Sequence, residues 1–121
     1  MKATYTDGFV IPVPKKNLKA YFKMAKLASK IWKEHGAVDY KECVADDVKT
    51  QCGLSFLKGV KAKAGETIVF AWITYKSKKH RDGVNAKVMQ DPRLAKMCNP
   101  KKPSFDFKRM IYGGFKIVVS A

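Results

Sequence analysis

The chain alternates apolar and polar positions with a period of two in four stretches and with a helical period in two. The most apolar stretch, Thr67 to Tyr75, is rich in β-branched and aromatic residues and contains neither Gly nor Pro, which is the composition of a strand. Successive strand side chains point to opposite faces. Thr67, Val69, Ala71, Ile73 and Tyr75 therefore share one face, and Ile68, Phe70, Trp72 and Thr74 share the other. Both faces are apolar, so the strand is expected to be covered on both sides. A chain of 121 residues can hardly supply both covers itself, which points to a second subunit.

The remaining elements follow in order. Tyr5 to Val13 reads as a strand with Tyr5, Asp7, Phe9, Ile11 and Val13 on one face. Pro12 and Pro14 end it, because neither can donate a ladder hydrogen bond. Lys16 to His35 reads as an amphipathic helix, since Leu18, Tyr21, Phe22, Ala25, Ala28 and Trp32 recur at spacings of three and four. Asn17 stands at its start, and Gly36 is a natural left-handed stop. Val38 to Val44 is a second strand whose apolar face is broken by Glu42. The connection from Asp46 to Gly65 is long for a compact domain, which predicts a short extra element near Leu54 to Val60. Ser77 is placed to cap a second helix over Lys78 to Gln90, anchored by Val84 and Val88 and ended by Asp91-Pro92. Arg93 to Lys108 reads as a basic connection. Met110 to Val119 is the last strand, where Gly113-Gly114 predicts a bulge or a close backbone approach.

The order β-α-β-β-α-β, with right-handed crossovers, predicts an α+β domain over residues 1–121. Its form is a ferredoxin-like antiparallel sheet with the first and third strands central and two helices on one face. The uncovered face then favours a homodimer, paired as a dimeric α/β barrel.

Charge changes the picture in one respect. Lys and Arg total 25 against 10 Asp and Glu, a formal net charge of +15. Lys16, Lys19, Lys23, Lys26, Lys30 and Lys33 form a basic surface on the first helix, opposite its apolar stripe. Such a stripe could engage nucleic acid or an acidic partner. The aromatics, however, lie within apolar patterns and no nucleic-acid-reading motif is present, so a solvated face is the favoured reading. No apolar run approaches the roughly 20 residues of a membrane span. The first residues lack a signal peptide's apolar region, so a cytoplasmic protein is expected. Cys43, Cys52 and Cys98 are widely spaced and read as reduced thiols, at least one of them in the core. Glu34, Asp39, Glu42, Asp46 and Asp47 match no known metal loop, and neither a metal nor a cofactor is expected.

Several groups of residues together resemble a known family. They are Asp7-Gly8-Phe9-Val10, Glu42-Cys43, Asp47-Val48, Val69-Phe70-Ala71-Trp72-Ile73, His80-Arg81-Asp82, Val84 to Met89, Asp91-Pro92-Arg93 and Lys108 to Phe115. The chain resembles the YbaA-like family of small bacterial proteins, domain of unknown function 1428, from about Tyr5 to Val119. The resemblance implies a ferredoxin-like fold in the dimeric α/β-barrel superfamily, which includes small monooxygenases, haem-degrading enzymes and stress-response proteins. It carries over no catalytic residue. Phe107 stands where members usually have Gly, and members are typically less basic.

Candidate chemistry centres on the start of the second helix. His80, Arg81 and Asn85 lie near one end of the sheet, and Arg81, Asn85 and Val88 share a helix face. Asp7, Glu42 and Tyr112 are possible partners, with Arg109 close in sequence and Trp72 as a wall. One reading is an internal polar network that holds the helix on the sheet. The other is a pocket whose Arg81, Asn85 and Arg109 meet an anionic or carbonyl-bearing ligand, with His80 suited to proton transfer. His35 closes the first helix, where a cation suits the dipole. A small-molecule-binding or cofactor-independent enzymatic domain is the favoured function. A basic binding module and a structural or stress-response dimer are the alternatives.

Overall fold

The structure is a computed structural model that describes residues 2–97, 101 and 103–121. Four strands form one antiparallel sheet: β1 (Tyr5–Pro14), β2 (Asp39–Val44), β3 (Glu66–Tyr75) and β4 (Ile111–Lys116). Four helices accompany it: α1 (Leu18–Glu34), α2 (Phe56–Gly59), α3 (Lys78–Met89) and α4 (Pro92–Met97). The strand order is β2-β3-β1-β4, so the first and third strands are central, as their apolar faces require.

Local signals account for most boundaries. The Ser77 hydroxyl accepts from the His80 backbone N–H at 3.0 Å and caps α3. Ser55 does the same for α2, the short element expected between 54 and 60. Gly36 ends α1 at φ 114°, where a Cβ would be strained. Asn17 makes no cap; its amide donates to the Ser104 carbonyl at 3.2 Å and ties the segment before β4 to the start of α1. The stretch read as a plain basic connection holds α4 and a turn of 3-10 helix at Phe107–Arg109.

Both long helices pack on the face carrying the odd-numbered residues of β1 and β3. One cluster joins Tyr5, Ile73 and Tyr75 to Ile31 of α1 and Val84 and Val88 of α3. The other joins Ile11, Val13, Val69 and Ala71 to Tyr21 and Ala25. Phe9 packs against both. The opposite face is covered only at one end, where Pro12 and Ile68 are buried and Phe56 of α2 contacts the Phe70 ring. Beyond that, Phe70, Ile111 and Phe115 are 41%, 52% and 59% exposed.

Cys43 and Cys52 are both exposed, so neither is a core thiol; Cys98 lies outside the described residues. Gly113-Gly114 makes no bulge, because the β1–β4 register runs unbroken from Tyr5↔Lys116 to Val10↔Ile111. The close approach is real at Gly114, where an added Cβ would come within 2.9 Å of Tyr5 ring carbons. Tyr5 is only 8% exposed and lies under the Arg81 guanidinium, so its ring has little room to yield. At Gly113 the nearest atoms belong to the exposed Phe115 ring, at 3.7 Å. Gly114→Ala is therefore expected to lower unfolding stability by about 1–3 kcal/mol in urea titration, the usual cost of overpacking. Gly113→Ala is expected to cost under about 1 kcal/mol.

Candidate functional site

Between the helices and the sheet lies a cavity of about 500 Å³, bounded by all four strands, α1, α3, α4 and the segment before β4. Phe9, Ala28, Trp32, Met89, Leu94 and Phe105 belong to its mostly apolar wall, and Asp7, Glu42, Arg81 and Asn85 supply its polar groups. The side-chain alternation of the strands explains these positions. Asp7 and Ile73 are register partners, as are Glu42 and Ala71, and all four point to the helix-covered face.

Asp7 is 5% exposed. Arg81 Nη1 donates to Asp7 Oδ1 at 2.7 Å, and Arg81 Nε donates to Asp82 Oδ1 at 2.8 Å. The guanidinium carbon sits 5.1 Å from the centre of the Tyr5 ring, within cation–π range. Burial pushes the Asp7 carboxyl up, against the opposing pull of Arg81 and the Asn85 amide. Asn85 Oδ1 accepts from Trp32 Nε1 at 3.1 Å, with the Tyr75 hydroxyl at 3.4 Å. α3 is thus fastened to β1, β3 and α1 through two polar side chains.

A second group surrounds Glu42. Its Oε1 accepts from the Tyr21 hydroxyl at 2.5 Å and its Oε2 from the Tyr40 hydroxyl at 2.7 Å. Burial, and then the neighbouring Glu42 charge, push both phenols well above the usual tyrosine range. They stay protonated and donate. Tyr40 lies 6.1 Å from Trp32, and Phe105 5.5 Å from Tyr21, between ring centres.

Of the residues expected from sequence, Asp7, Glu42, Arg81, Asn85 and Tyr112 are brought together on the cavity wall. Three others lie elsewhere. Trp72 points to the open face of the sheet, where its ring meets Phe70 at 5.6 Å; strand alternation sets it opposite Ala71 and Ile73. His80 sits in the first turn of α3 but faces back to the strand end, its Nδ1 accepting from the Lys76 backbone N–H at 3.0 Å and its ring edge-on to Tyr75. Arg109 makes a two-pronged contact with Glu66 at 2.6 and 2.9 Å, at the far end of β3 from Ile73. The anion-binding set of Arg81, Asn85 and Arg109 is therefore not assembled.

Tyr21, Tyr40, Trp32 and Phe105 were not singled out as site residues. The first three sit within apolar patterns, and only the hydroxyls and the indole N–H hinted at a polar role. Phe105 follows no period at all. The lysines at 16, 19, 23, 26, 30 and 33 are all exposed. The acidic run between 34 and 47 disperses: Glu34 pairs with Arg93, Asp39 with Lys41, and Glu42 faces the cavity. Among the described residues, no group of three or more His, Cys, Asp or Glu is placed to hold a metal. His35 Nε2 lies 2.8 Å from Asp91 Oδ2. Hydrogen bonds from Arg93 and His35 hold the Asp91 carboxyl well below the usual range. This cluster anchors α4, which carries Leu94 and Met97 to the cavity.

The family model described as "Protein of unknown function (DUF1428)" matches residues 4–107. The chain belongs to the DUF1428 family. It is 46% identical over 115 residues to "Uncharacterized protein YbaA" of Escherichia coli strain K12, covering 95% of this chain and 97% of the relative. The protein of the same description from Shigella flexneri matches to the same extent. The DUF1428 match includes nearly the whole cavity wall, leaving out only Met110 and Tyr112. No helix among the described residues is long and apolar enough to cross a membrane.

Removing Arg81 alone would leave Asp7 buried without its cation. Arg81→Ala is expected to cost about 3 kcal/mol or more in chemical unfolding. In the double variant with Asp7→Asn the loss is expected to be clearly smaller than the sum of the two single losses, since the pair acts as a unit.

Proposed function

We propose that this chain is a small-molecule-binding domain of ferredoxin-like type whose ligand occupies the cavity between the helices and the sheet. The observation that carries the reading is the cavity itself. Its volume of about 500 Å³ falls within the range typical of ligand sites, which are mostly apolar with a few converging polar groups. A sealed void of that size would cost on the order of 10 kcal/mol, comparable to the whole stability of a small domain. This cavity is partly open to solvent, so water fills it when no ligand does and it carries no such penalty. Any chemistry there falls to Glu42, Asp7 and the hydroxyls beside them.

Thermal-shift screening of a metabolite library tests this. Wild-type protein is expected to be stabilised by at least one compound. Ala28→Leu, which pushes a larger side chain into the cavity, is expected to abolish that shift. A library without a hit, or a hit that survives Ala28→Leu unchanged, would overturn the reading.

The open sheet face favours a second statement. We propose that the domain works as a homodimer of the α/β-barrel kind, closed through the face that carries Trp72, Phe70, Ile111 and Phe115. A stable interface buries about 800 Å² per partner, and this apolar surface offers the ground for one. Sedimentation equilibrium at micromolar concentration is expected to give twice the 13.6 kDa chain mass. Trp72→Lys is expected to give the single-chain mass; a wild-type monomer would end the proposal.

A further inference from the structure

The acids of this chain are generally met by cations where they are shielded from water. Asp7 pairs with Arg81, Glu66 with Arg109, and Asp91 with Arg93 and His35. Glu42 is different. Its partners are two neutral phenols, and among the described residues no Lys, Arg or His lies within 4.0 Å of its oxygens. With 25 Lys and Arg in the chain against 10 acids, cations are not in short supply. Lys41, its neighbour on β2, points to the opposite face and pairs with Asp39.

A carboxylate offers about four acceptor sites. The hydroxyls of Tyr21 and Tyr40 take two, which leaves acceptor capacity on the cavity side. Rings crowd the same place: Tyr21, Tyr40, Trp32 and Phe105. Aromatic faces attract cations, Trp most strongly. Arg81, the cation of the cavity wall, is already shared between Asp7 and Asp82. Among the described wall residues stand two carboxyl groups, Asp7 and Glu42, and one guanidinium, Arg81.

We propose that the cavity takes an organic cation, with a protonated amine seated against Glu42 and an apolar, preferably aromatic, body against the surrounding rings. The proposal rests on the cavity being a ligand site. The outer lysines of α1 do not oppose it at close range, because exposed charges are screened over about 8 Å at physiological salt.

Three probes of one shape separate the possibilities: 2-naphthylmethylamine, 2-naphthylmethanol and 2-naphthylacetate, titrated calorimetrically at pH 7. The wild type is expected to bind the amine about tenfold tighter than the alcohol, the scale of one charge-assisted hydrogen bond, and to bind the carboxylate weakest. Glu42→Gln is expected to bind amine and alcohol equally while keeping the alcohol's affinity. Should that variant not fold, the wild-type ranking decides alone. Equal binding of amine and alcohol by the wild type, a preference for the carboxylate, or an amine preference that survives Glu42→Gln overturns the cation while leaving the cavity a ligand site. No binding of any probe overturns both.

Discussion

Ten residues of β1, Tyr5 to Pro14, pair with ten of β3, Tyr75 to Glu66, and the rest of the molecule is hung on that ladder. It joins the most apolar strand to the strand that carries the buried Asp7. The register sets Asp7 against Ile73 and Phe9 against Ala71. A slip of one residue would turn Asp7, Phe9 and Ile11 to the open face and strip the helices of their floor. Because β1 and β3 are central, β2 and β4 can only add at the edges. That addition brings Glu42 from one side and Tyr112 from the other toward the same space.

The helices cover this floor without filling it. α1 and α3 lean on two apolar clusters that touch through Phe9, and the gap left beside Phe9 is the cavity. Polar groups around it fall into two sets with different physics. Asp7, Arg81 and Asn85 form a closed network in which an ion pair and amide bonds offset the cost of burial. Glu42 has two hydroxyl donors and, among the described residues, no cation within ion-pair distance. That asymmetry separates the fastening from the group we propose as a ligand contact.

The two faces of the sheet divide the tasks. The helix-covered face encloses the cavity and its charges. The other face is mainly apolar along β1, β3 and β4, with the Phe115 ring over Gly8 and Gly113, and is exposed at Phe70, Ile111 and Phe115. Membership of the DUF1428 family, whose description states no activity, leaves the chemistry of these surfaces to carry the functional reading.

Period-two and helical patterns, read directly from sequence, were enough to find the four strands, both long helices, the Ser77 cap, the Gly36 stop and the face shared by Asp7, Phe9 and Ile11. They were enough because each depends on residues within one or two turns of each other. The same logic placed Glu42 on an otherwise apolar face, and that exception became the centre of the proposed site. What it could not supply was partnership across the chain. Arg81 meets Asp7 across 74 residues, and Arg109 meets Glu66 across 43. Local pattern does not say which of many cations reaches which acid. Nor could it show that Phe105 and α4 close the cavity, because a segment with no period is oriented only by what it packs against. Trp72 is the instructive case. Its side of the strand was legible from alternation alone, but which face the helices would cover, and so which face would hold the cavity, was decided only when the chain closed on itself.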